Sequence, residues 1–291
     1  MTLYGSLEAG GTKFICAVGN ESFEVVDKIQ FPTTTPDETI AQVIAFFKQF
    51  PNLVSVAIGS FGPVDVDTTS KTYGFVMDTP KPNWSNVDLV GPIQRALNVP
   101  VFFTTDVNSS AYGEVIARKD VTNLVYYTIG TGIGGGAYMN GEFIGGLGHT
   151  EMGHTLVRKH ETDASFEGVC PFHKGCLEGM ACGPSLEART GMRGEHIPLD
   201  DAIWDVQAYY IAQAVVQATL LFRPEVVVLG GGVMGQSHMI KRVQEQFKAQ
   251  FNDYIPLPNI EDYIVVPAVE NNGSATLGNF ALAKKCVSAS V

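Results

Sequence analysis

One arrangement occurs twice in this 291-residue chain, and it narrows the available folds more than any other feature. Residues 3–7 read as a short strand. Ala9-Gly10-Gly11-Thr12 supplies a turn, and residues 14–18 read as the returning strand. Mid-chain the pattern restarts with residues 124–129, the turn Gly130-Thr131-Gly132, and residues 134–139. Two apolar strands joined by a glycine turn make a β-hairpin. Behind each hairpin, strands and helices alternate. Ile40, Val43, Ile44 and Phe47 recur at helical spacing within residues 39–50. Further helices are expected over residues 87–97, 108–118, 202–222, 237–251 and 275–286. Further strands are expected over 25–31, 54–58, 101–104, 226–229 and 264–266. The pattern predicts two related α/β lobes, each opening with a hairpin. The smaller lobe is expected over residues 1–111, completed by a C-terminal helix at 275–291, and the larger over 112–274.

The turns have phosphate chemistry. Glycine admits close backbone approach, and threonine hydroxyls add donors. Neither Glu8–Lys13 nor Thr128–Gly135 is a Walker A loop or a dinucleotide fingerprint. Either alone reads equally well as an ordinary hairpin turn. Two at corresponding places in two lobes favour a nucleotide held by both. Gly230-Gly231-Gly232, after the strand at 226–229, suits a ligand lying against backbone or a tight packing turn.

A second constellation lies at residues 154–176. Cys170, His173 and Cys176 are spaced C-x-x-H-x-x-C between Pro171 and Gly175, and His154 lies upstream. Two thiolates and two imidazoles suit a closed tetrahedral Zn2+ site with no position open for chemistry. The remaining question is what such a loop holds in place.

Composition excludes several classes. The net charge of −11 opposes nucleic-acid binding and docking on anionic membranes. Hydrophobic content of 45% with 17% charged residues is that of a folded globular chain, for which metabolites are the expected ligands. Five cysteines, three of them in or beside the metal segment, fit a reducing cytoplasm better than a disulfide framework. The N-terminal residues lack a signal-peptide pattern, and no apolar run is long enough for a membrane span.

Asp106 directly follows the strand at 101–104. A carboxylate there could take a proton from a substrate hydroxyl. By position alone the helix N-cap is the stronger reading.

These motifs together resemble the ROK family of sugar kinases and repressors, and within it the bacterial fructokinase subgroup. The resemblance rests on EAGGTK (8–13), TPKPNW (79–84), TDVNSSAYGE (105–114), TIGTGIGGG (128–136), GHTEMGH (148–154), CPFHKGCLEGMACGP (170–184) and LGGGVM (229–234). It implies a two-lobed actin/hexokinase-like (ribonuclease H-like) ATPase fold with a zinc-binding loop. It also implies ATP-dependent phosphorylation of a hexose, fructose at its 6-hydroxyl, with Asp106 as general base. By resemblance Asn83, Trp84, Glu151, His154 and Glu178 face the sugar. Gly10, Gly11, Thr12, Lys13, Thr131, Gly132, Gly231 and Gly232 meet the nucleotide. His154, Cys170, His173 and Cys176 hold Zn2+, and Mg2+ travels with ATP. The family suggests a homodimer whose partners are sugar and ATP. Mannose, glucose or another hexose are alternative substrates. A non-catalytic sugar-responsive regulator is the alternative of another class. Three positions depart from the family pattern: Thr105 where Asn is common, Glu8 where Asp is usual, and Cys182 where Ser is common. Trp204 is expected either near adenine or in helix packing.

Overall fold

The computed structural model describes residues 1–288, which fall into two compact units. The last three residues of the expected 275–291 helix lie outside the described residues. Unit 1 contains Met1–Lys119, Phe143–His149 and the chain from Val269 onward. Unit 2 contains Asp120–Glu142 and Thr150–Ala268.

Unit 1 begins with the first expected hairpin, β1 (Leu3–Ala9) and β2 (Lys13–Gly19), followed by β3 (Val25–Pro32). Helix α1 (Pro36–Phe47) starts on Pro36, with Asp37 and Glu38 in its first turn. Proline suits a helix start and acids offset the partial positive charge there. Then come β4 (Leu53–Ser60) and the small pair β5 (Phe75–Val76) and β6 (Val87–Asp88). The helix expected over 87–97 begins three residues late, as α2 (Val90–Leu97). Asp88 Oδ1 accepts the N–H of Gly91 at 2.7 Å, which fixes that start. After β7 (Val101–Thr105), α3 (Asp106–Arg118) runs past residue 112, the expected lobe boundary.

Unit 2 opens with the second hairpin, β8 (Leu124–Ile129) and β9 (Ile133–Met139), and the two-residue β10 (Glu142–Phe143) lies where the chain passes back to unit 1. Two short helices follow, α4 (Leu177–Ala181) and α5 (Gly183–Thr190), then the long α6 (Ile203–Phe222). The rest is β11 (Val226–Gly230), α7 (Met239–Phe251), α8 (Ile260–Tyr263) and β12 (Ile264–Val265). The last helix, α9 (Ser274–Ser288), belongs to unit 1.

The sheet orders are β3-β2-β1-β4-β7 and β10-β9-β8-β11-β12. In each, an antiparallel hairpin is extended by parallel strands, so the two units share one topology. One face of the unit 1 sheet buries Leu7, Phe14 and Ile58 against Val43 and Phe47 of α1 and Ile93 of α2. The other buries Tyr4, Ala17 and Ala57 against Phe280, Leu282 and Ala283 of α9. Helices α3 and α9 cross so closely that a Cβ on Gly113 would lie 1.9 Å from Ser274 O. Fully buried Glu114 pairs with Arg118 at 3.2 Å and accepts from Ser274 Oγ at 2.7 Å beside that crossing. No helix among the described residues is long and apolar enough to cross a membrane.

Candidate active site and metal centre

In unit 1, parallel strands bring three segments to one sheet edge. Ala9 lies opposite Ser60, and Ser60 opposite Thr105. The Gly10–Lys13 turn and Asp106 therefore emerge from that edge. Gly10 N–H donates to Lys13 O at 3.1 Å, and Thr33 Oγ1 donates to Gly10 O at 2.7 Å. A Cβ on Gly10 would meet Lys13 O at 2.7 Å, so the turn requires glycine, while Gly11 faces open space. Thr12 and Lys13 are exposed, and Lys13 Nζ lies 3.3 Å from Gln30 Oε1.

Asp106 is the first residue of α3 and half-buried. Its Oδ1 accepts the N–H of Val107 at 2.8 Å. The N-cap is Thr105, whose hydroxyl accepts from Asn108 N at 3.1 Å. The capping function read for Asp106 thus belongs to its neighbour. Glu8, near the end of β1, accepts from the Thr276 hydroxyl of α9, and burial pushes its carboxyl above the usual range. Asn83 is exposed with a left-handed backbone, φ 68°. Trp84 beside it is fully buried between Phe14 and Phe61, and its indole N–H donates to Thr34 O at 2.9 Å.

In unit 2, the second glycine turn and the third glycine run meet. Strand β11 lies beside β8 with Gly230 opposite Thr128, and Val233 N–H donates to Ile129 O at 3.0 Å. A Cβ on Gly231 (φ 89°) would lie 2.4 Å from Ile129 O, so only glycine fits. Thr131 and Gly232 are exposed. Glu178 on α4 also reaches this turn: its Oε2 accepts the N–H of Ile133 at 2.9 Å. Glu151 is exposed at the head of the one-turn 3-10 helix Met152–His154. That turn packs on β9, where a Cβ on Gly153 would lie 1.7 Å from Ile133 O.

His154, Cys170, His173 and Cys176 converge, with donor atoms all within 4.8 Å of one another. His154 Nδ1 is 3.8 Å from Cys170 Sγ and 3.5 Å from Cys176 Sγ, and His173 Nδ1 is 3.9 Å from Cys170 Sγ. A tetrahedron with Zn–S of about 2.3 Å and Zn–N of about 2.0–2.1 Å has N···S edges of about 3.5–3.6 Å. The four residues fit such an ion. Burial, with Cys170 close by, pushes the Cys176 thiol up to about 11, a cost that a bound cation would relieve. Leu177 N–H donates to Thr155 O at 2.8 Å and closes the base of the loop. Cys182 is buried outside the cluster, at the junction of α4 and α5.

Trp204 is fully buried in the first turn of α6. Its indole N–H donates to Pro198 O at 2.9 Å, and its ring meets His238 edge-on at 4.9 Å. Sequence reasoning did not single out His149, whose Nε2 accepts the N–H of Val64 at 3.1 Å within unit 1. The two residues are 85 positions apart, and no local pattern signals the contact.

The ROK family model matches residues 4–286. This chain belongs to the ROK family. Among its relatives, the fructokinase of Streptococcus mutans is 65% identical over 286 residues, covering 97% of this chain and 98% of that protein. The fructokinase of Lactococcus lactis subsp. cremoris is 57% identical, with 96% of each chain covered. The crystal structure of a ROK hexokinase from Thermus thermophilus matches with a TM-score of 0.81 at 21% identity, over 99% of this chain and 100% of that one. The ROK chain thus has the hexokinase-like α/β fold expected from its sequence, here carrying a His/Cys cluster that resembles a zinc-binding loop.

Proposed function

We propose that this ROK-family chain is an ATP-dependent hexose kinase that converts D-fructose to fructose 6-phosphate. The observation that carries the reading is 65% identity to a fructokinase over nearly the whole of both chains. Asp106 accepts the proton of the attacking sugar hydroxyl, a part supported by its place at the end of β7 with the cap already supplied by Thr105. Asn83, Glu151, His154 and Glu178 bind sugar hydroxyls. Trp84, with no exposed surface, fixes the loop that presents Asn83.

Gly10, Gly11, Thr12, Lys13, Thr131 and Gly132 hold the phosphates through free backbone N–H groups and the Thr and Lys side chains, with Gly10, whose own N–H is bonded to Lys13 O, shaping the turn, and Gly231 and Gly232 lie on the adenosine side. Oriented donors of this kind stabilise the charge that spreads over a transferring phosphoryl group. Mg2+ arriving with ATP would neutralise part of the triphosphate charge. His154, Cys170, His173 and Cys176 would hold Zn2+ with four protein ligands, a donor set that suits a structural part. The active species is a cytoplasmic homodimer. The five cysteines, odd in number and with two of them in the His/Cys cluster, suit a reducing compartment better than a disulfide framework.

The test is ATP consumption by the purified protein with fructose, mannose, glucose and N-acetylated hexosamines, with the product's phosphate position read by NMR. Fructose is expected to give the highest kcat/KM. A different preferred hexose would move the substrate assignment. Sugar binding without ATP consumption would replace the kinase with a sugar-responsive regulator.

A further inference from the structure

Glu178 stands between the His/Cys loop and the second glycine turn. It is the second residue of α4, whose N-cap is Cys176. Its Oε2 accepts the N–H of Ile133, the first residue of β9 and the neighbour of Gly132. The approach is close, since a Cβ on Gly132 would lie 2.7 Å from that same oxygen. The other end of the turn is tied to the same stretch of chain. Gly183 N–H, at the start of α5, donates to Gly130 O at 2.7 Å. Both ends of Gly130-Thr131-Gly132 are therefore fixed by a short helical segment that begins on a metal-type cysteine. A glycine turn has much backbone freedom and few side chains to pack, so bonds of this kind decide where its N–H groups point.

We propose that Glu178 is a positioning residue for the nucleotide: it sets the second glycine turn for phosphate binding and passes the order of the metal loop to that turn. This rests on the kinase reading above and adds a metal-to-nucleotide link to the sugar contact assigned there. Oε2 serves the turn, which leaves Oε1 for the sugar contact. The link runs from Cys176 through the first turn of α4, where Met180 N–H closes on Cys176 O at 3.0 Å. Metal loss then weakens nucleotide binding before any sugar is present.

The test is calorimetric binding of AMPPNP with Mg2+ to sugar-free protein. Glu178→Ala removes the acceptor. Glu178→Asp keeps the charge but shortens the reach. Glu178→Gln keeps an acceptor of full reach without the charge. AMPPNP affinity is expected to fall about tenfold in Glu178→Ala and Glu178→Asp, the scale of a lost hydrogen bond to a charged group, and to stay within about twofold of wild type in Glu178→Gln. Chelator-treated wild type, verified metal-free, is expected to lose affinity as Glu178→Ala does. If Glu178→Ala fails to fold, the Asp and Gln variants carry the test. Unchanged or tighter AMPPNP binding in the Ala and Asp variants, with the loss confined to the KM for fructose, overturns the proposal. An equal loss in Glu178→Gln overturns it as well. A wild-type protein that binds no AMPPNP overturns the kinase reading itself.

Discussion

Asp106 and its neighbour Thr105 divide two tasks that the sequence places one residue apart. Thr105 satisfies the helix start, so Asp106 can serve chemistry without the helix losing its cap. Asp106→Asn is expected to lower kcat by about 10²–10⁴-fold, the usual worth of a general base. Fructose affinity, read by calorimetry, should stay within a few-fold, and near-normal turnover would remove the base assignment. His238 gives a second prediction. Both ring nitrogens are buried without a hydrogen-bond partner among the described residues. Burial, then the charge of Arg242, hold its pKa below the ordinary value. The unfolded chain therefore takes up the proton first. Stability from this site is complete above the unfolded pKa of about 6.5 and is lost as pH falls towards the folded value. His238→Phe should flatten the fall in urea midpoint between neutral pH and pH 5, and an unaltered slope would count against His238 as its source.

At the scale of elements, the metal loop has two arms held in different ways. The first arm is pinned to helices without any ion. Arg189 Nη2 and Nε donate to Asp163 at 2.7 to 3.2 Å, and Tyr210 Oη donates to Asp163 at 2.8 Å. Gln213 exchanges hydrogen bonds with the backbone of Arg158, and the Arg189 guanidinium lies 3.9 Å above the Phe166 ring. The second arm, residues 167–176, has fewer anchors: Val169 N–H to Gly179 O at 2.9 Å, an exposed Lys174–Glu167 pair and three of the four ligands, Cys170, His173 and Cys176. Chelation is expected to strip amide protection from 167–176 while 158–166 keeps it, as read by hydrogen exchange. Uniform loss across both arms would show that the ion holds the whole loop. Arg189→Ala leaves Asp163 buried and unpaired, and should cost about 3–5 kcal/mol in chemical denaturation. The C-x-x-H-x-x-C spacing made the ligands legible in the sequence because they are local. The Asp163–Arg189 clasp spans 26 residues and left no local pattern. Glu178 was legible as a site residue, but its hold on Ile133 depends on how α4 packs against β9.

At the scale of the whole molecule, the duplicated hairpins announced two α/β units, and both sheets have the topology that the repeat implies. The strand ends that carry Gly10, Asp106, Gly132 and Gly231 were readable because apolar runs stop at glycine or at a charge. The return of Phe143–His149 to unit 1 was not readable, since it depends on Phe143 meeting Tyr112 and His149 meeting Val64. Helix α9 buries Phe280 and Leu282 on the second face of that sheet. A chain stopped before Ser274 should leave Tyr4, Ala17 and Ala57 uncovered. Hydrogen exchange on such a chain is expected to find β1, β2 and β4 unprotected, and native protection there would show that α9 is dispensable.

The same discontinuity sets a schedule during synthesis. Most of unit 1 leaves the ribosome first, yet its sheet lacks one cover until α9 is made. That is roughly 150 residues later, about 8–30 s at ordinary elongation rates. Unit 2 can finish while the earlier-made sheet still waits with an apolar face open. The chain's most exposed moment for aggregation or chaperone capture is thus built into the order in which its segments are translated, and a faster elongation rate late in the message would shorten it.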